Sequence, residues 1–371
     1  MVNKMNIEAA LVNAMHQEST IRRPSLKGLS EPELQTWCIR QGESRFRGTQ
    51  LFEWLYKHGL SDPVKMVNIR KSFRDHLSEN YIFQTLSMVH ISSSQHEPTQ
   101  KFLFRTRDDL FIESVSIIDG RRHTVCLSAQ VGCNVGCDFC ATGHMGLSRN
   151  LTAGEIVDQL IHVRAQVQQP ISNVVFMGMG EPFLNYTNVI TASDIFHHQR
   201  GFGLASNRIT ISTAGILPKI EQFIREHRKF KLAISLNAAD DPTRLRLMPI
   251  NQKWGIHDLI RAGRAYSELP GRQVMFEYVL LQGVNDSPED AQRLARLLKG
   301  IDCKVNIIPF NASGGVYHRP PEQTVNDFAR ILTDYRDIYR VLVRQSKGID
   351  IEAACGQLAT RSHAEIASAS V

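Results

Sequence analysis

The chain has 371 residues, 42% of them apolar and 22% charged, with a formal net charge of +6. That length can bury a large core, the composition excludes a disordered or fibrous chain, and the mild basic excess permits a polyanionic partner without requiring one. No run approaches the roughly 18 apolar residues of a membrane helix, and the start, MVNKMNIEAALVNAMHQEST, carries acidic and polar residues unlike a secretory signal.

A cytoplasmic protein without a membrane partner is therefore expected. In a reducing compartment its seven cysteines read as metal or redox groups and not as structural disulfides. Residues 1–28 read as a frayed or weakly helical leader. Residues 29–85 read as a helical module containing PELQTWCIRQG, FRGTQLFEWLYKHG and IRKSFRDHLSEN, with Leu51, Trp54 and Leu55 on one helical face. Here Arg45, Arg47, Lys57, Arg70, Lys71 and Arg74 are interspersed with Phe46, Trp54 and Tyr56. A nucleic-acid-binding surface has this mixture, and so does an ordinary solvated basic face.

Residues 86–120 hold most of three strand-like pieces, YIFQTLSMVHISSSQ, QKFLFRTR and LFIESVSIID, expected to form a small antiparallel linking element. From 121 to 371 strand-like and helix-like runs alternate. The strand-like runs are HTVCLSAQ, SNVVFMG, NRITIST, FKLAISL, QVMFEYVLL, CKVNIIPF and GIDIEAA. Thr152 to Glu155 forms a capping box before EIVDQLIHVRAQV, Pro218 opens KIEQFIREHR, and Ser287-Pro288 opens PEDAQRLARLLKG. Such alternation implies right-handed βαβ units and an α/β fold with a parallel sheet. A (β/α) barrel, full or partial, is the expected architecture, with a doubly wound open sheet as the other option. Barrel chemistry gathers at the C-terminal ends of strands. Those ends carry the MGEPFLN loop, Ser212, Ser235, Asn237, Asn311 and Cys355.

The stretch VCLSAQVGCNVGCDFCATG holds Cys126, Cys133, Cys137 and Cys140. The last three are spaced C-x-x-x-C-x-x-C. Three thiolates can hold three irons of a cubane and leave the fourth open to a small molecule, whereas structural zinc and electron-transfer clusters use four protein ligands. A structural zinc site with Cys126 as fourth ligand is the alternative.

That spacing, on a loop after the first barrel strand, resembles the radical S-adenosylmethionine (SAM) superfamily. GCNVGCDFCATGHMGLSRNLT, VFMGMGEPFLN, RITISTAGI, LAISLNA, RLMPIN, GVNDS and AACGQL together resemble the RlmN/Cfr family of radical SAM RNA adenine methyltransferases, over residues 30 to 360. FRGTQLFEWLY resembles that family's helical accessory domain. The resemblance implies a partial (β/α)6 radical SAM barrel with a cysteine-bearing C-terminal loop, a small N-terminal RNA-binding helical domain and a short β extension.

It further implies that Cys133, Cys137 and Cys140 ligate a 4Fe-4S cluster, and that two SAM molecules are used per turnover. Cys355 matches the methyl-carrying cysteine, and Cys126 the resolving one that forms a transient disulfide with it. Glu113 matches a glutamate near the reacting adenine, suited to accepting a proton. Gly180 and Glu181 match a loop contacting the SAM ammonium. Ser212, Ser235, Leu236, Asn237 and Asn311 match the remaining SAM contacts, although the family often has histidine at the position of Asn237, which cannot titrate. The implied substrates are an adenosine of 23S rRNA in the peptidyl-transferase region and a tRNA adenosine next to the anticodon, both methylated at C2. The implied partners include an electron donor such as flavodoxin, and a monomer is expected. The alternatives are methylation at C8, a radical SAM enzyme acting on a small molecule, and a non-catalytic metal-containing RNA-binding protein. Cys38 and Cys303 match no motif, and Cys303 is expected in the core.

Overall fold

Helices α1 (Glu31–Arg40), α2 (Arg45–Phe52) and α3 (Lys71–Asn80) form the N-terminal module. Glu33 accepts from Ser30 N at 2.7 Å, closing the first turn of α1. Gly48 lets α1 and α2 cross in contact, since a Cβ there would strike the backbone of Gln35. Leu34, Leu51, Leu55 and Leu77 fill the space between the helices. The computed structural model describes residues 23–312, 315–335 and 340–359. Nearly all of the expected helical leader, through residue 22, lies outside them.

The basic surface is smaller than the sequence implied. Arg70 pairs with Glu43 at 2.5 Å, and Arg47 and Arg74 donate to the carbonyls of Asn68 and Val64. Tyr56 is no surface aromatic: it is fully buried, accepts from Gly28 N at 2.9 Å and donates to Leu29 O at 2.8 Å. Phe46 remains exposed.

Strands β1 (Leu86–Ser93), β2 (Thr99–Thr106) and β3 (Phe111–Asp119) make an antiparallel meander. β3 turns directly into β4 (Arg122–Cys126), which pairs antiparallel with β3 on one side. After β4 come the hairpin strand β5 (Gln130–Cys133), a short α4 (Ala141–His144), the second hairpin strand β6 (Gly146–Asn150) and α5 (Ala153–Gln166). The alternation follows: β7 (Asn173–Phe176), α6 (Tyr186–His197), β8 (Ile209–Thr213), α7 (Leu217–Arg225), β9 (Lys231–Ser235), α8 (Asp241–Leu247) and α9 (Ile256–Ser267). Last come β10 (Val274–Leu280), α10 (Pro288–Leu297), β11 (Cys303–Pro309), α11 (Glu322–Asp334) and β12 (Arg340–Val343).

One ten-stranded sheet runs in the order β1-β2-β3-β4-β7-β8-β9-β10-β11-β12. From β4 to β12 every pairing is parallel. Among the described residues β12 pairs only with β11, so the barrel is partial and open. The α/β barrel and its capping boxes at Thr152 and Ser287 stand as expected. One expected strand does not. GIDIEAA forms a 3-10 turn at Ile349–Ile351, bracketed by left-handed residues Gly348 (φ 69°) and Glu352 (φ 53°) that stop an extended chain. RVLV supplies the edge strand instead, in register Lys304↔Arg340 to Ile307↔Val343. No helix among the described residues is long and apolar enough to cross a membrane.

A buried ion pair joins the helical module to α5. Lys27 Nζ lies 2.5 Å from Asp158 Oδ1, with both side chains 1% exposed. The other Asp158 oxygen accepts from Thr85 N at 2.5 Å, Thr85 Oγ1 at 2.7 Å and Leu86 N at 3.2 Å. Alongside, Gly28 and Gly154 let the two backbones touch: a Cβ on Gly28 would lie 2.6 Å from Gly154 N. Removing one member of a buried pair strands the other, at a cost of about 3–5 kcal/mol. Asp158→Ala should therefore lower the denaturation midpoint sharply, because it orphans an ammonium and the Thr85 and Leu86 donors. Lys27→Met should cost clearly less, because Asp158 keeps its neutral donors. Urea titration of both variants ranks them, and the reverse order would contradict this account.

Candidate active site

The strand ends surround an open cavity. Its cysteine wall is the loop between β5 and β6. The hairpin pairs Cys133 with Gly146 and Gly132 with Leu147, and Gly132 (φ 75°) is required there because a Cβ would strike the Gly146 carbonyl. Gly136 (φ 71°) turns the chain between Cys133 and Cys137. Cys140 N donates to Cys137 O at 3.1 Å. Cys133, Cys137, Cys140 and Phe139 all line the cavity.

Burial pushes each of the three thiols above its ordinary pKa. The charge of Cys140 adds to this at Cys133, and the charges of Cys140 and Cys133 add to it at Cys137. A bound metal reverses that cost, since coordinating thiols are deprotonated outright. Among the described residues no three His, Cys, Asp or Glu side chains converge as ligands of a single ion. Cys126 is not among the residues lining the cavity that Cys133, Cys137 and Cys140 share. Three soft donors without a fourth fit an iron–sulfur cluster with one open iron better than a structural zinc.

The loop after β7 is clamped beneath the hairpin. Gly180 (φ 93°) leaves no room for a Cβ against Gln130, whose Oε1 accepts from Glu181 N at 2.8 Å. The Glu181 carboxylate, which lines the cavity, accepts from Phe183 N at 2.9 Å and Ala214 N at 2.7 Å. Burial raises its pKa to about 7 against the pull of those donors.

Ser212, Ser235, Asn237 and Asn311 also line the cavity. Ser212 Oγ donates to Glu277 Oε2 at 2.7 Å. Asn237 sits at φ 57°, a conformation that both asparagine and histidine tolerate better than most residues, which gives a backbone reason for their exchange here. Its amide accepts from Val279 N at 2.9 Å and lies 3.2 Å from Met248 Sδ. Asn311 Nδ2 donates to Cys355 O at 3.3 Å. Leu236 is set apart: its side chain is in the core, and its carbonyl accepts from Arg244 Nε at 3.1 Å.

Cys126 ends β4, and Cys355 follows the 3-10 turn far along the chain. The segment after Cys355 is stitched to the cysteine loop: Ala141 N donates to Gly356 O at 2.8 Å, and Thr142 Oγ1 donates to Leu358 O at 2.6 Å. Cys355 lines the cavity. Buried Cys126 lies beside it, its pKa pushed up to about 12 by burial and by the charge of Cys355, and opposed by Arg344. All seven cysteines are free thiols, and Cys38 and Cys303 are buried in the core.

Glu113 does not line the cavity. It is buried on β3, with Oε1 3.1 Å from Lys101 Nζ and the backbone of Ala359 beside its carboxylate. Burial raises its pKa, with Lys101 opposing.

The sequence reading missed Gln130, Arg244, Glu277 and Arg344. Glu277 was visible as one acid inside an otherwise apolar strand, a placement that requires partners. Arg344 was hidden because it follows β12, a strand that was not expected; its guanidinium lies 3.6 Å from Met177 Sδ.

Two known families match separate parts of the chain. Residues 127–297 match the Radical SAM superfamily, and residues 25–82 match the ribosomal RNA large subunit methyltransferase N-terminal domain. The dual-specificity RNA methyltransferase RlmN of Geobacter sulfurreducens is 45% identical, covering 90% of this chain and 91% of its own. A probable RlmN of Bacillus licheniformis is 40% identical, covering 95% and 98%. The crystal structure of a radical SAM methyltransferase from Sphaerobacter thermophilus superposes with a TM-score of 0.86 at 42% identity, covering 90% of this chain and 98% of that one. Membership of the superfamily implies a 4Fe-4S cluster and SAM. With a radical SAM barrel, a matching N-terminal domain and relatives aligned nearly end to end, the chain belongs to the RlmN family of radical SAM RNA methyltransferases.

Proposed function

We propose that this enzyme methylates C2 of an adenosine in the peptidyl-transferase region of 23S rRNA and of a tRNA adenosine next to the anticodon. The observation that carries this reading is the gathering of Cys355 with Cys133, Cys137 and Cys140 around one cavity, with Cys126 at the end of β4 within electrostatic reach of Cys355. C2 lies between two ring nitrogens and is a poor nucleophile, so polar methyl transfer from SAM lacks a donor. A thiol is a good nucleophile and can carry the methyl group first.

In the proposed sequence the Cys355 thiolate attacks the methyl carbon of one SAM. A C–S bond to Cys355 forms and the sulfonium C–S bond breaks. When bound, the cluster with a second SAM supplies the one-electron chemistry that takes a hydrogen atom from the S-methyl group. The resulting carbon radical bonds to C2 of the adenine; the adduct then loses the C2 proton and one electron, for which the bound cluster would be the acceptor. Cys126, as thiolate, then attacks the Cys355 sulfur: a disulfide forms, the bond from sulfur to the RNA-bound carbon breaks, and that carbon gains a proton. An external two-electron reductant restores the thiols. Glu113 is the proposed acceptor of the proton lost from C2; its raised proton affinity suits that task. Cys133, Cys137 and Cys140 would hold the cluster. Glu181 would take the SAM ammonium, with Gly180, Ser212, Ser235, Leu236, Asn237 and Asn311 around the rest of the cofactor. A flavodoxin-type protein would supply electrons.

Anaerobically reconstituted enzyme with SAM, a reductant and an rRNA fragment or tRNA should yield 2-methyladenosine on nucleoside mass spectrometry. 8-Methyladenosine instead would move the enzyme to C8 chemistry. Cys355→Ala should abolish methyl transfer and leave cluster absorbance intact. Cys126→Ala should accumulate a covalent protein–RNA adduct visible on denaturing gels; normal turnover by that variant would end the resolving role.

Glu181 supplies a pH test. Its carboxylate pairs with an ammonium only when ionised, and its pKa is about 7. SAM affinity should therefore fall as the pH drops below 7, about tenfold per unit, and level off above it. Glu181→Gln should bind SAM about 10–100-fold more weakly, with a flat pH profile in calorimetry.

A further inference from the structure

Arg244 is a fully buried arginine on α8. Its guanidinium makes hydrogen bonds to neutral oxygens: Leu236 O at 3.1 Å, Asn251 Oδ1 at 2.8 Å, Ala214 O at 2.7 Å and Ser235 O at 3.2 Å. Among the described residues no carboxylate forms a salt bridge with it. Asp241 is reached only through Asn251, and the same Asp241 oxygen accepts from Ile256 N at 2.8 Å. Carbonyl dipoles and the field of Asp241 ease the burial of this charge, but no carboxylate among the described residues pairs with it directly. A buried cation in this state costs free energy unless an anion answers it.

The answering position is the cysteine loop. Asp138 N donates to Leu247 O at 3.0 Å, and Gly136 approaches Pro249, so the loop packs directly on α8 and the turn after it. Leu247 and Met248 share an apolar cluster with Val135 and Phe139, against which Cys133, Cys137 and Cys140 pack. Ala214 and Ser235, whose carbonyls Arg244 holds, line the same cavity as Cys133, Cys137 and Cys140.

We propose that Arg244 is the fixed counter-charge of the cluster, raising its reduction potential by stabilising the extra negative charge that one-electron reduction adds. This rests on the reading that Cys133, Cys137 and Cys140 hold the cluster. In a low-dielectric site a permanent cation favours the more negative state, and nearby charge is one of the terms that sets cluster potentials. Arg244 acts through the cluster and is a positioning residue.

The test is redox titration of the anaerobically reconstituted full chain, followed by the electron paramagnetic resonance of the reduced cluster, with iron and sulfide content and circular dichroism measured alongside. Arg244→Gln and Arg244→Met remove the charge; Arg244→Lys keeps it. The neutral variants should show about tenfold less reduced cluster at a fixed potential, equivalent to a midpoint ~59 mV lower for one electron. Arg244→Lys should recover most of that shift. Neutral variants that fold but lose iron, while Arg244→Lys retains it, would also support the counter-charge. A fully loaded neutral variant with unchanged potential overturns it. So does a lysine variant that shifts as far as the neutral ones, or loss of fold in all three variants, which would leave Arg244 a scaffold role alone. Parent enzyme that takes up no cluster would refute the cluster reading itself, a separate result.

Discussion

The buried polar face of α5 holds the molecule together. Glu155, Asp158 and Gln159 are spaced so that they share one side of the helix, and each ties down a different element. Glu155 takes Arg149 from β6 at 2.8 Å and thereby anchors the cysteine hairpin. Asp158 takes Lys27, Thr85 and Leu86, fixing the helical module and the start of the meander. Gln159 accepts from Ser114 on β3 at 2.6 Å and from Ser128 N, after β4, at 2.9 Å. Buried groups of this kind are stable only when all are satisfied. Their satisfaction requires module, meander, hairpin and barrel to sit in one mutual arrangement.

That arrangement delivers chemistry to the sheet's C-terminal edge. Parallel strands put Cys126, Ser212, Ser235, Glu277 and Asn311 at or near one end of the barrel. The return of the chain after β12 then brings Cys355 to Cys126. Asn311, Ala141 and Thr142 hold the Cys355 segment by hydrogen bonds, mostly to its carbonyls. Holding it by backbone hydrogen bonds leaves the sulfur itself free.

The mouth concentrates buried ionisable groups of both signs. Glu181 and the cysteines are held with raised proton affinity by burial, while Arg244 and Arg344 bring positive charge to the same region. Such groups are costly in an empty cavity. Their cost falls when an ammonium, a metal centre or a second charged group arrives, so the site is built for its ligands and less for its own stability.

Spacing alone singled out the three-cysteine loop, because a short local segment carries all three thiols; the expected roles of Cys126, Cys355 and the Gly180-Glu181 loop came from the resemblance to the family. Alternating apolar runs implied βαβ units and a parallel sheet, with a barrel expected over an open sheet, and the pairing order from β4 to β12 decided for a partial barrel. Tertiary structure decided the rest. The last strand is RVLV and not GIDIEAA, since left-handed residues at both ends of the latter break extension. Tyr56 is a core residue bonded to the chain at Gly28 and Leu29, which no local pattern reveals. Arg47, Arg70 and Arg74 are partly spent inside the module. Leu236 turns into the core while its neighbours line the cavity, because adjacent residues at a strand end face opposite sides. The partners of Arg244 lie on three separate stretches of chain, so its buried charge became readable only once the chain had folded around it.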